Sequence, residues 1–363
     1  MNVFIVCTGL GHINRGYESF TRECFDSLKD TSDFNLYLIK GGGIRSGNEI
    51  VLPNLPRRNK AAKLLSKLLL FDAYTIEQAT FCISMLPLIV KKKPAVIYYS
   101  DFKLGTYLWH LRKYFNFKYK LLFSNGAPNG PPFKTEDHVQ QLLPVYMEQA
   151  IQQGVPETMQ TLLPYGFNID INERLNSISK KELVRKRLGL SSTQKVILSV
   201  GAVNKHHKRM DYLINEIAKL GTEYYLVILG QFEAETPELA ALATNKLHNR
   251  FTIANVAFEQ VKDYYIAADY FVLASLNEGF GRVLIEALSY GLPCVVHDYV
   301  NAKQVLGENA TYLNMKIEGE LADYFCKEKH VVSKTTLIKA AYKRYSWNNL
   351  KPSYLEMILS LVN

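Results

Sequence analysis

The sequence has few of the features that would place it outside the ordinary soluble proteins. It holds five cysteines, odd in number and mostly in apolar surroundings: Cys7, Cys24, Cys82, Cys294 and Cys326. This usage favours reduced core thiols in a cytosolic protein over a disulfide framework. No basic segment precedes the first apolar residues, so we expect no signal peptide. The longest apolar run, 81–90, is interrupted by Pro87 and is too short to predict a membrane span.

Internal repeats and low-complexity segments are also missing, and 363 residues exceed what one hydrophobic core usually serves. Two domains of about 170 residues each are therefore expected. The net charge of +9 and the pI near 9.1 favour anionic partners. Nucleotide diphosphates, phospholipid head groups and nucleic acid all qualify, but no nucleic-acid-binding motif accompanies the charge, so nucleic acid is the least favoured of the three.

The amino-terminal segment predicts a doubly wound α/β domain without a dinucleotide fingerprint. A buried strand at 2–8 leads through a glycine-bearing turn into a helix at 17–29. Asn14 occupies the position of the third fingerprint glycine, and the second strand ends at Lys40 where an acid is required. A hydride-transfer enzyme is therefore disfavoured.

The most informative stretch runs from 276 to 296 and predicts loop, helix, turn and strand after an apolar strand at 270–275. Its loop, Glu278-Gly279-Phe280-Gly281, has two glycines that leave backbone amides accessible, and the following helix adds a positive end. An anionic or hydroxyl-rich ligand fits such a loop. Glu286 follows roughly 12 Å further along the helix axis, so one extended ligand can contact both glutamates.

The segment Asn-Glu-Gly-Phe-Gly-Arg-Val-Leu-Ile-Glu-Ala, followed by Gly-Leu-Pro-Cys-Val-Val, resembles the nucleotide-sugar signature of retaining GT-B glycosyltransferases of family 4. The resemblance implies an α/β GT-B fold, with two Rossmann-like doubly wound domains facing each other across a cleft. In that family the first glutamate lies near the transferred sugar and the second binds the ribose, which implies these roles for Glu278 and Glu286. Amides of the Gly279-Phe280-Gly281 segment would bind sugar hydroxyls or phosphate. The alternative is a buried βαβ unit with two solvated glutamates.

A segment at 163–168 resembles the one that closes the first domain in this family. We therefore expect an acceptor-binding domain at 1–170, with the carboxyl-terminal helix at about 346–363 packing back on it. The nucleotide-sugar-binding domain is expected at 171–345.

The cations that hold the donor diphosphate depart from the family pattern. The family places arginine directly after the glycine that ends the first strand of the second domain, and lysine six residues later. Lys208 occupies the second position, but Ala202 occupies the first. Lys205 and Arg209 lie in the same loop and are candidates to replace the missing arginine.

No metal is expected. The chain has no Asp-x-Asp triplet, and GT-B enzymes neutralise the leaving diphosphate with cations and helix ends. His206 and His207 are adjacent, but no carboxylate or cysteine spacing supports a metal site, so a solvated loop is favoured for them.

Five candidates come from the first domain. In the family, the first loop faces the acceptor and the donor phosphates, which implies Gly11 as donor-binding and His12 as acceptor-binding; a plain tight turn is the alternative for His12. Asp101 follows a buried strand at its carboxyl end, where ligands bind in open α/β sheets, although it also fits the N-cap of the next helix. Asn125 belongs to a Gly/Pro-rich loop, expected as a cleft wall that contacts the acceptor. His138 is interpreted as an acceptor ligand or as a surface helix residue.

Residues 57–71 combine five cations with helix-compatible leucines. Such a helix either lies on an anionic membrane, where each cation contributes roughly 1 kcal/mol, or packs its leucines against the protein.

These observations predict a metal-independent, retaining transfer of sugar from a UDP- or GDP-linked donor to a glycan or lipid-linked acceptor, with no cofactor. Lys208 would stabilise the leaving diphosphate, while Asp101 and Glu278 would position the substrates or act electrostatically. The expected location is the cytoplasm, with or without peripheral contact at the inner face of the cell membrane. The alternatives are a non-catalytic nucleotide-sugar-binding subunit and a GT-B nucleotide-sugar epimerase.

Overall fold

A computed structural model describes residues 1–13, 15–126, 128–327 and 332–362; Asn14, noted above for the absent glycine, lies outside them. The chain divides into two compact units. Unit 1 comprises Met1–Asn168 and Trp347–Asn363, and unit 2 comprises Ile169–Ser346. The sequence placed these boundaries at 170 and 345.

The strands of the described residues are short, as in most α/β domains. They are β1 (Asn2–Cys7), β2 (Asn35–Lys40), β3 (Glu49–Val51), β4 (Val96–Tyr99), β5 (Lys120–Ser124), β6 (His138–Gln141), β7 (Gln160–Leu162), β8 (Lys195–Val200), β9 (Tyr224–Leu229), β10 (Phe251–Ala254), β11 (Tyr270–Leu273), β12 (Cys294–His297) and β13 (Ala310–Leu313).

Helices alternate with these strands. They are α1 (Gly16–Leu28), α2 (Lys60–Leu69), α3 (Ala73–Lys92), α4 (Phe102–Tyr114), α5 (Pro144–Gln152), α6 (Ile171–Ser177), α7 (Lys181–Leu188), α8 (Met210–Ala218), α9 (Thr236–Leu247), α10 (Phe258–Ala267), α11 (Arg282–Ser289), α12 (Val300–Leu306), α13 (Glu320–Cys326), α14 (Lys334–Tyr345) and α15 (Trp347–Leu359). Single 3₁₀ turns occupy Glu157–Met159 and Ile178–Lys180.

Unit 1 is built on a seven-stranded parallel sheet in the order β3-β2-β1-β4-β5-β6-β7. Helices cover both faces of such a sheet, so its central strands β1, β4 and β5 are largely apolar, and Phe4, Ile97 and Phe123 are completely buried. The strand order reverses between β1 and β4. The loops that follow these two strands therefore flank a switch point, the usual place for a ligand in an open α/β sheet.

Unit 2 repeats this plan with a six-stranded parallel sheet in the order β10-β9-β8-β11-β12-β13. Its order reverses between β8 and β11. The loop after β8 carries Lys208 and the loop after β11 carries Glu278, so the topology brings the two loops to one switch point.

Helix α15 belongs to unit 1 because its first residue fills a gap that a glycine leaves. Trp347 packs its indole against Gly166, where a Cβ atom would lie only 2.4 Å from the ring. Trp347 also stacks near Phe20, and Tyr354 donates a hydrogen bond of 2.9 Å to the Pro164 carbonyl. These contacts account for the return of the chain end to the first unit.

Helix α3 corrects the expectation that the apolar run 81–90 is too short to predict a membrane span. The apolar run 81–90 is part of a continuous 20-residue helix that passes through Pro87, and by length and composition this helix reaches what a membrane span requires. A packed helix can tolerate an interior proline at the cost of one hydrogen bond. Phe81, Met85 and Ile89 are buried in the core of unit 1, as in the core helix of a soluble domain.

Candidate functional site

The loop between β11 and α11 is anchored by its own side chains and backbone. Phe280 is buried and meets the Tyr345 ring edge-on, with 6.3 Å between the ring centroids. Gly281 has a φ of +69°, a left-handed conformation that glycine adopts at little cost, and α11 begins at the next residue. The apolar anchor and the glycine together place Glu278 at the switch point of unit 2.

Asn301, on α12, fixes the same loop from a third element. Its side-chain amide donates to the Glu278 carbonyl at 2.6 Å and to the Gly279 carbonyl at 3.2 Å. With these carbonyls engaged, the peptide planes of the loop have a defined orientation. Sequence reasoning did not single out Asn301, whose one signal was its position just after β12.

Lys208 and Glu278 form the central ion pair of the site, between the Nζ and Oε1 atoms. The two side chains are only 12% and 11% exposed. Asn204 shapes the lysine loop, since its Oδ1 accepts the amides of Lys208 at 2.8 Å and His207 at 3.1 Å. Gly201 lets the lysine stem lie across the strand end, where a Cβ atom would approach it to 2.8 Å. The result is a largely desolvated cation beside a carboxylate.

The two candidates to replace the missing arginine are both engaged elsewhere in unit 2. Lys205 pairs through Nζ with Glu238, and its amide donates to Glu235 at 2.7 Å. Arg209 donates to the Met315 carbonyl at 2.7 Å. These contacts argue against Lys205 and Arg209 as diphosphate ligands.

His206 pairs with Glu235 across 2.7 Å, at the surface of unit 2. Within the described ranges, no group of three or more His, Cys, Asp and Glu side chains is placed to hold a metal ion.

Glu286 is held by an aromatic pair. The buried Tyr265 hydroxyl donates to Glu286 Oε2 at 3.0 Å. Burial, and then the charge of Glu286, raise the pKa of Tyr265 well above its usual value, so the hydroxyl remains a donor. Tyr265 stacks on Tyr290 with 5.4 Å between centroids and 4° between planes. The carboxylate therefore has a fixed direction on α11.

In unit 1, Asp101 lies at the carboxyl end of β4 and accepts a hydrogen bond of 2.7 Å from the Tyr74 hydroxyl. It occupies the N-cap position of α4, as the N-cap alternative predicted, although its side chain makes no capping hydrogen bond. Burial, and secondarily the charge of Glu18, raise the pKa of Asp101, while the bond from Tyr74 acts in the opposite direction. A desolvated carboxyl at a switch point is a feature of functional sites.

Gly11 and His12 lie in a loop that packs tightly against the loop after β2. Gly11 has a φ of +91°, and a Cβ atom on it would lie 2.3 Å from the Gly42 backbone. His12 Nε2 bonds to the Gly41 carbonyl. Because a carbonyl only accepts, this bond requires a proton on Nε2.

The structure gives Asn125 a structural role. Its side chain is 1% exposed, its amide donates to Gln141 at 2.9 Å, and its Oδ1 accepts the Asn129 amide at 2.8 Å. The neighbouring Ala127 lies outside the described residues. An amide that is buried and bonded on both sides is not available to an acceptor.

His138 is likewise not where the sequence placed it. The helix interpretation is wrong, because His138 begins strand β6, where burial lowers its pKa and Nε2 meets the Thr161 hydroxyl at 2.7 Å. The first residue of a parallel strand lies at the amino edge of the sheet. That edge is opposite to the one that Asp101 occupies, so the geometry argues against His138 as an acceptor ligand.

Comparison with known proteins finds sequence similarity that lies mainly in the second unit. The family model described as glycosyl transferases group 1 matches residues 180–323, which include Lys208, Glu278 and Glu286. The chain is 27% identical over 179 residues to the alpha-galactosylglucosyldiacylglycerol synthase of Streptococcus pneumoniae. It is 30% identical over 147 residues to the N-acetylgalactosamine-N,N'-diacetylbacillosaminyl-diphospho-undecaprenol 4-alpha-N-acetylgalactosaminyltransferase of Campylobacter jejuni.

These matches cover 48% and 40% of this chain and 47% and 40% of the two relatives, so the chain matches less than half of their lengths. The crystal structure of Anabaena Alr3699/HepE in complex with UDP and glucose superposes with a TM-score of 0.73 at 17% identity, covering 99% of this chain and 100% of that one. At this identity, the likeness concerns the fold.

Proposed function

Because residues 180–323 of this chain match the family model described as glycosyl transferases group 1 and the two Rossmann-like units have the GT-B fold, we propose that the protein is a retaining glycosyltransferase. It takes a sugar from a UDP- or GDP-linked donor and transfers it to a hydroxyl of a glycan or lipid-linked acceptor. The observation that carries the proposal is the desolvated Lys208–Glu278 pair at the switch point of unit 2.

The donor binds in unit 2. Lys208 neutralises the charge that develops on the leaving diphosphate, which is worth more in a site with little water than in bulk solvent. Glu278 lies beside the transferred sugar, and Glu286, oriented by Tyr265, accepts the ribose hydroxyls. Backbone amides of Gly279, Phe280 and Gly281 bind sugar hydroxyls or phosphate, and no metal is required. Gly11 of unit 1 approaches the donor phosphates.

The acceptor binds in unit 1, near Asp101 and His12. The departing phosphate takes the acceptor proton during same-face attack, so no protein base is obligatory. Asp101 positions the acceptor hydroxyl, and Tyr74 fixes the direction of its carboxyl group. The relatives named for a diacylglycerol and for a diphospho-undecaprenol sugar favour a lipid-linked acceptor here.

A lipid-linked acceptor agrees with the surface of α2. Leu64 and Leu68 are 69% and 77% exposed, and Ala62 is the one buried residue on this helix. The leucines are therefore not covered by unit 1, and the alternative of a packed leucine face loses its support. Lysines 60, 63 and 67 lie on the same helix. We include peripheral contact with the anionic inner face of the cell membrane in the proposal, with the protein itself cytoplasmic.

The second candidate, a non-catalytic nucleotide-sugar-binding subunit, is favoured by Ala202 in the place of the arginine. A panel of UDP- and GDP-sugars in thermal unfolding separates the two. A ligand at a hundred times its dissociation constant adds about 2.7 kcal/mol of stability. The stabilising donor is then incubated with acceptor lipids in the presence of EDTA. Product with the donor's anomeric configuration supports the transferase, whereas tight binding without turnover favours the subunit, and an altered sugar without acceptor indicates an epimerase.

A further inference from the structure

The loop after β8 contains a histidine whose side chain reaches the central ion pair. His207 Nε2 lies 3.5 Å from Glu278 Oε1, the same oxygen atom that Lys208 contacts. The histidine is 56% exposed and the lysine is 12% exposed, so the imidazole approaches the carboxylate from the solvent side. Two side-chain nitrogen atoms thus lie within ion-pair distance of one carboxylate oxygen.

A single side chain holds both donors in place. Asn204 is nearly buried, and its Oδ1 accepts the amide hydrogens of both His207 and Lys208. Its Nδ2 is in turn tied to Glu233 at 2.9 Å. Because the backbone amides of His207 and Lys208 are anchored at one acceptor, the two side chains are held next to each other. The loop can therefore supply both groups to one ligand.

The remaining basic side chains of this loop face other partners. Lys205 pairs with Glu238, His206 with Glu235, and Arg209 with the Met315 carbonyl. Ala202 contributes no cation. Of the loop's basic residues, His207 and Lys208 are the two whose side chains reach Glu278.

We infer that His207 is the second ligand for the donor's diphosphate, in place of the arginine that position 202 lacks. This inference rests on the proposed function. The phosphate oxygens of a diphosphate near Lys208 are anionic acceptors. They offer His207 and Lys208 more partners than the single Glu278 oxygen that both side chains approach here. Nε2–H of His207 and Nζ of Lys208 turn to the phosphate oxygens, and the Glu278 carboxylate is released to the sugar hydroxyls. No proton has to be transferred in this exchange.

The test compares His207→Ala, His207→Arg and the matched control His206→Ala in the full-length chain. UDP and GDP binding is measured by calorimetry, and donor KM and kcat with the donor found by thermal unfolding. We expect the affinity of the bound nucleotide to fall about tenfold in His207→Ala, since one charge-assisted hydrogen bond is lost at a half-exposed position. His207→Arg should retain or exceed wild-type affinity, and His206→Ala should stay within about twofold.

Equal nucleotide affinity of the wild type and His207→Ala would overturn the inference. Equal losses of affinity in His207→Ala and His206→Ala would also overturn it, because they would show a general effect of the loop. Thermal unfolding without nucleotide confirms that the variants fold, and His207→Arg supports the inference independently if it restores donor KM. Failure of the wild type to bind either nucleotide overturns the proposed function itself, a result distinct from a wild type that binds and a His207→Ala variant that binds equally well.

Discussion

The switch points of the two units carry candidate residues of different organisation. In unit 2, side chains from two loops and from α12 converge: Lys208 pairs with Glu278, and Asn301 bonds to the backbone of the loop that carries the glutamate. In unit 1, Asp101 bonds to Tyr74 of α3, and His12 bonds to the backbone of the neighbouring glycine loop. The first set is assembled around a charge pair, whereas the second is a group of separate positions.

The difference follows from what each unit would bind. A nucleotide diphosphate has a fixed charge and shape, so its site requires a cation and oriented amides at defined places, which a short continuous segment can encode. An acceptor hydroxyl makes no such demand, and its site can be assembled from scattered side chains. The predictions below test this contrast, beginning with the largest expected effect.

Removing the cation from unit 2 should have the largest effect. We expect Lys208→Gln to lower kcat by about 10²- to 10³-fold, the range seen when one group that stabilises transition-state charge is lost. The variant also leaves the Glu278 carboxylate without its cationic partner. Because this unpaired negative charge repels the diphosphate, nucleotide affinity should fall. Steady-state kinetics with saturating acceptor measure the change.

Lys205→Gln is the matched control, because this lysine lies in the same loop but pairs with Glu238 at the surface. Its kcat should stay within about twofold of wild type, as is usual for surface substitutions. Equal losses in the two variants would show that the loop acts only through its total charge, and the contrast between the units would lose its sharpest element.

The apolar surface of α2 belongs to unit 1 alone. We expect the double variant Leu64→Ser, Leu68→Ser to bind vesicles of anionic phospholipid about 10- to 100-fold more weakly, because burial of one leucine contributes roughly 1.5–3 kcal/mol when complete and less at an interface. Sedimentation with vesicles measures the partition, and nucleotide affinity should be unchanged.

Leu183→Ser provides the control in unit 2, since Leu183 on α7 is 70% exposed and lies outside the proposed membrane surface. It should bind vesicles as the wild type does. Equal binding of all three proteins would remove membrane contact from the proposal without affecting the donor site.

Asp101→Asn tests the acceptor side. Because the folded-state pKa of Asp101 is raised, its ionised form costs stability at neutral pH, and this cost vanishes as the pH falls and the carboxyl becomes protonated. Asparagine is neutral and can still accept the bond from Tyr74. The free energy of unfolding of the variant should therefore exceed that of the wild type by about 1 kcal/mol at pH 7, and by less at pH 4.

The same variant should lower kcat/KM for the acceptor about tenfold while leaving nucleotide affinity unchanged, since the proposed donor site lies in unit 2. Greater stability combined with lower activity is the expected trade-off at a functional site. A variant as active as wild type would assign Asp101 a purely structural role.

The candidate donor segment could be recognised in the sequence because its information is local. The glycines, the two glutamates and the helix lie within one segment, and the alternation of strands and helices indicated two parallel sheets. The pairing of Lys208 with Glu278 was not predictable, because it depends on the strand order that makes β8 and β11 neighbours.

The structural roles of several polar residues could not be predicted for the same reason. His138 appears polar and exposed in the sequence, yet β6 is covered on both faces. Asp269 is a second example, since it pairs with Lys181 and Arg185 and accepts the Val196 amide at 2.7 Å. Burial opposes its ionisation, but the bonds from Lys181 and its neighbours outweigh that effect and lower its pKa. Such pairings join distant segments and leave no local signal.

The smallest predicted effect concerns how firmly unit 2 orients its ligands. Tyr265→Phe removes the one hydroxyl that bonds Glu286 Oε2 and preserves the ring stacked on Tyr290. The carboxylate then samples more directions, so we expect donor KM to rise about five- to tenfold with little change in kcat, since a hydrogen bond to a charged group contributes about 1.5 kcal/mol or more. The stack should keep the change in unfolding free energy near 1 kcal/mol.

Tyr264→Phe, at the preceding position of α10, is the control and should leave KM unchanged. If both variants kept wild-type KM, Glu286 would need no support from Tyr265, and the fixed geometry that distinguishes unit 2 would be confined to the Lys208–Glu278 pair.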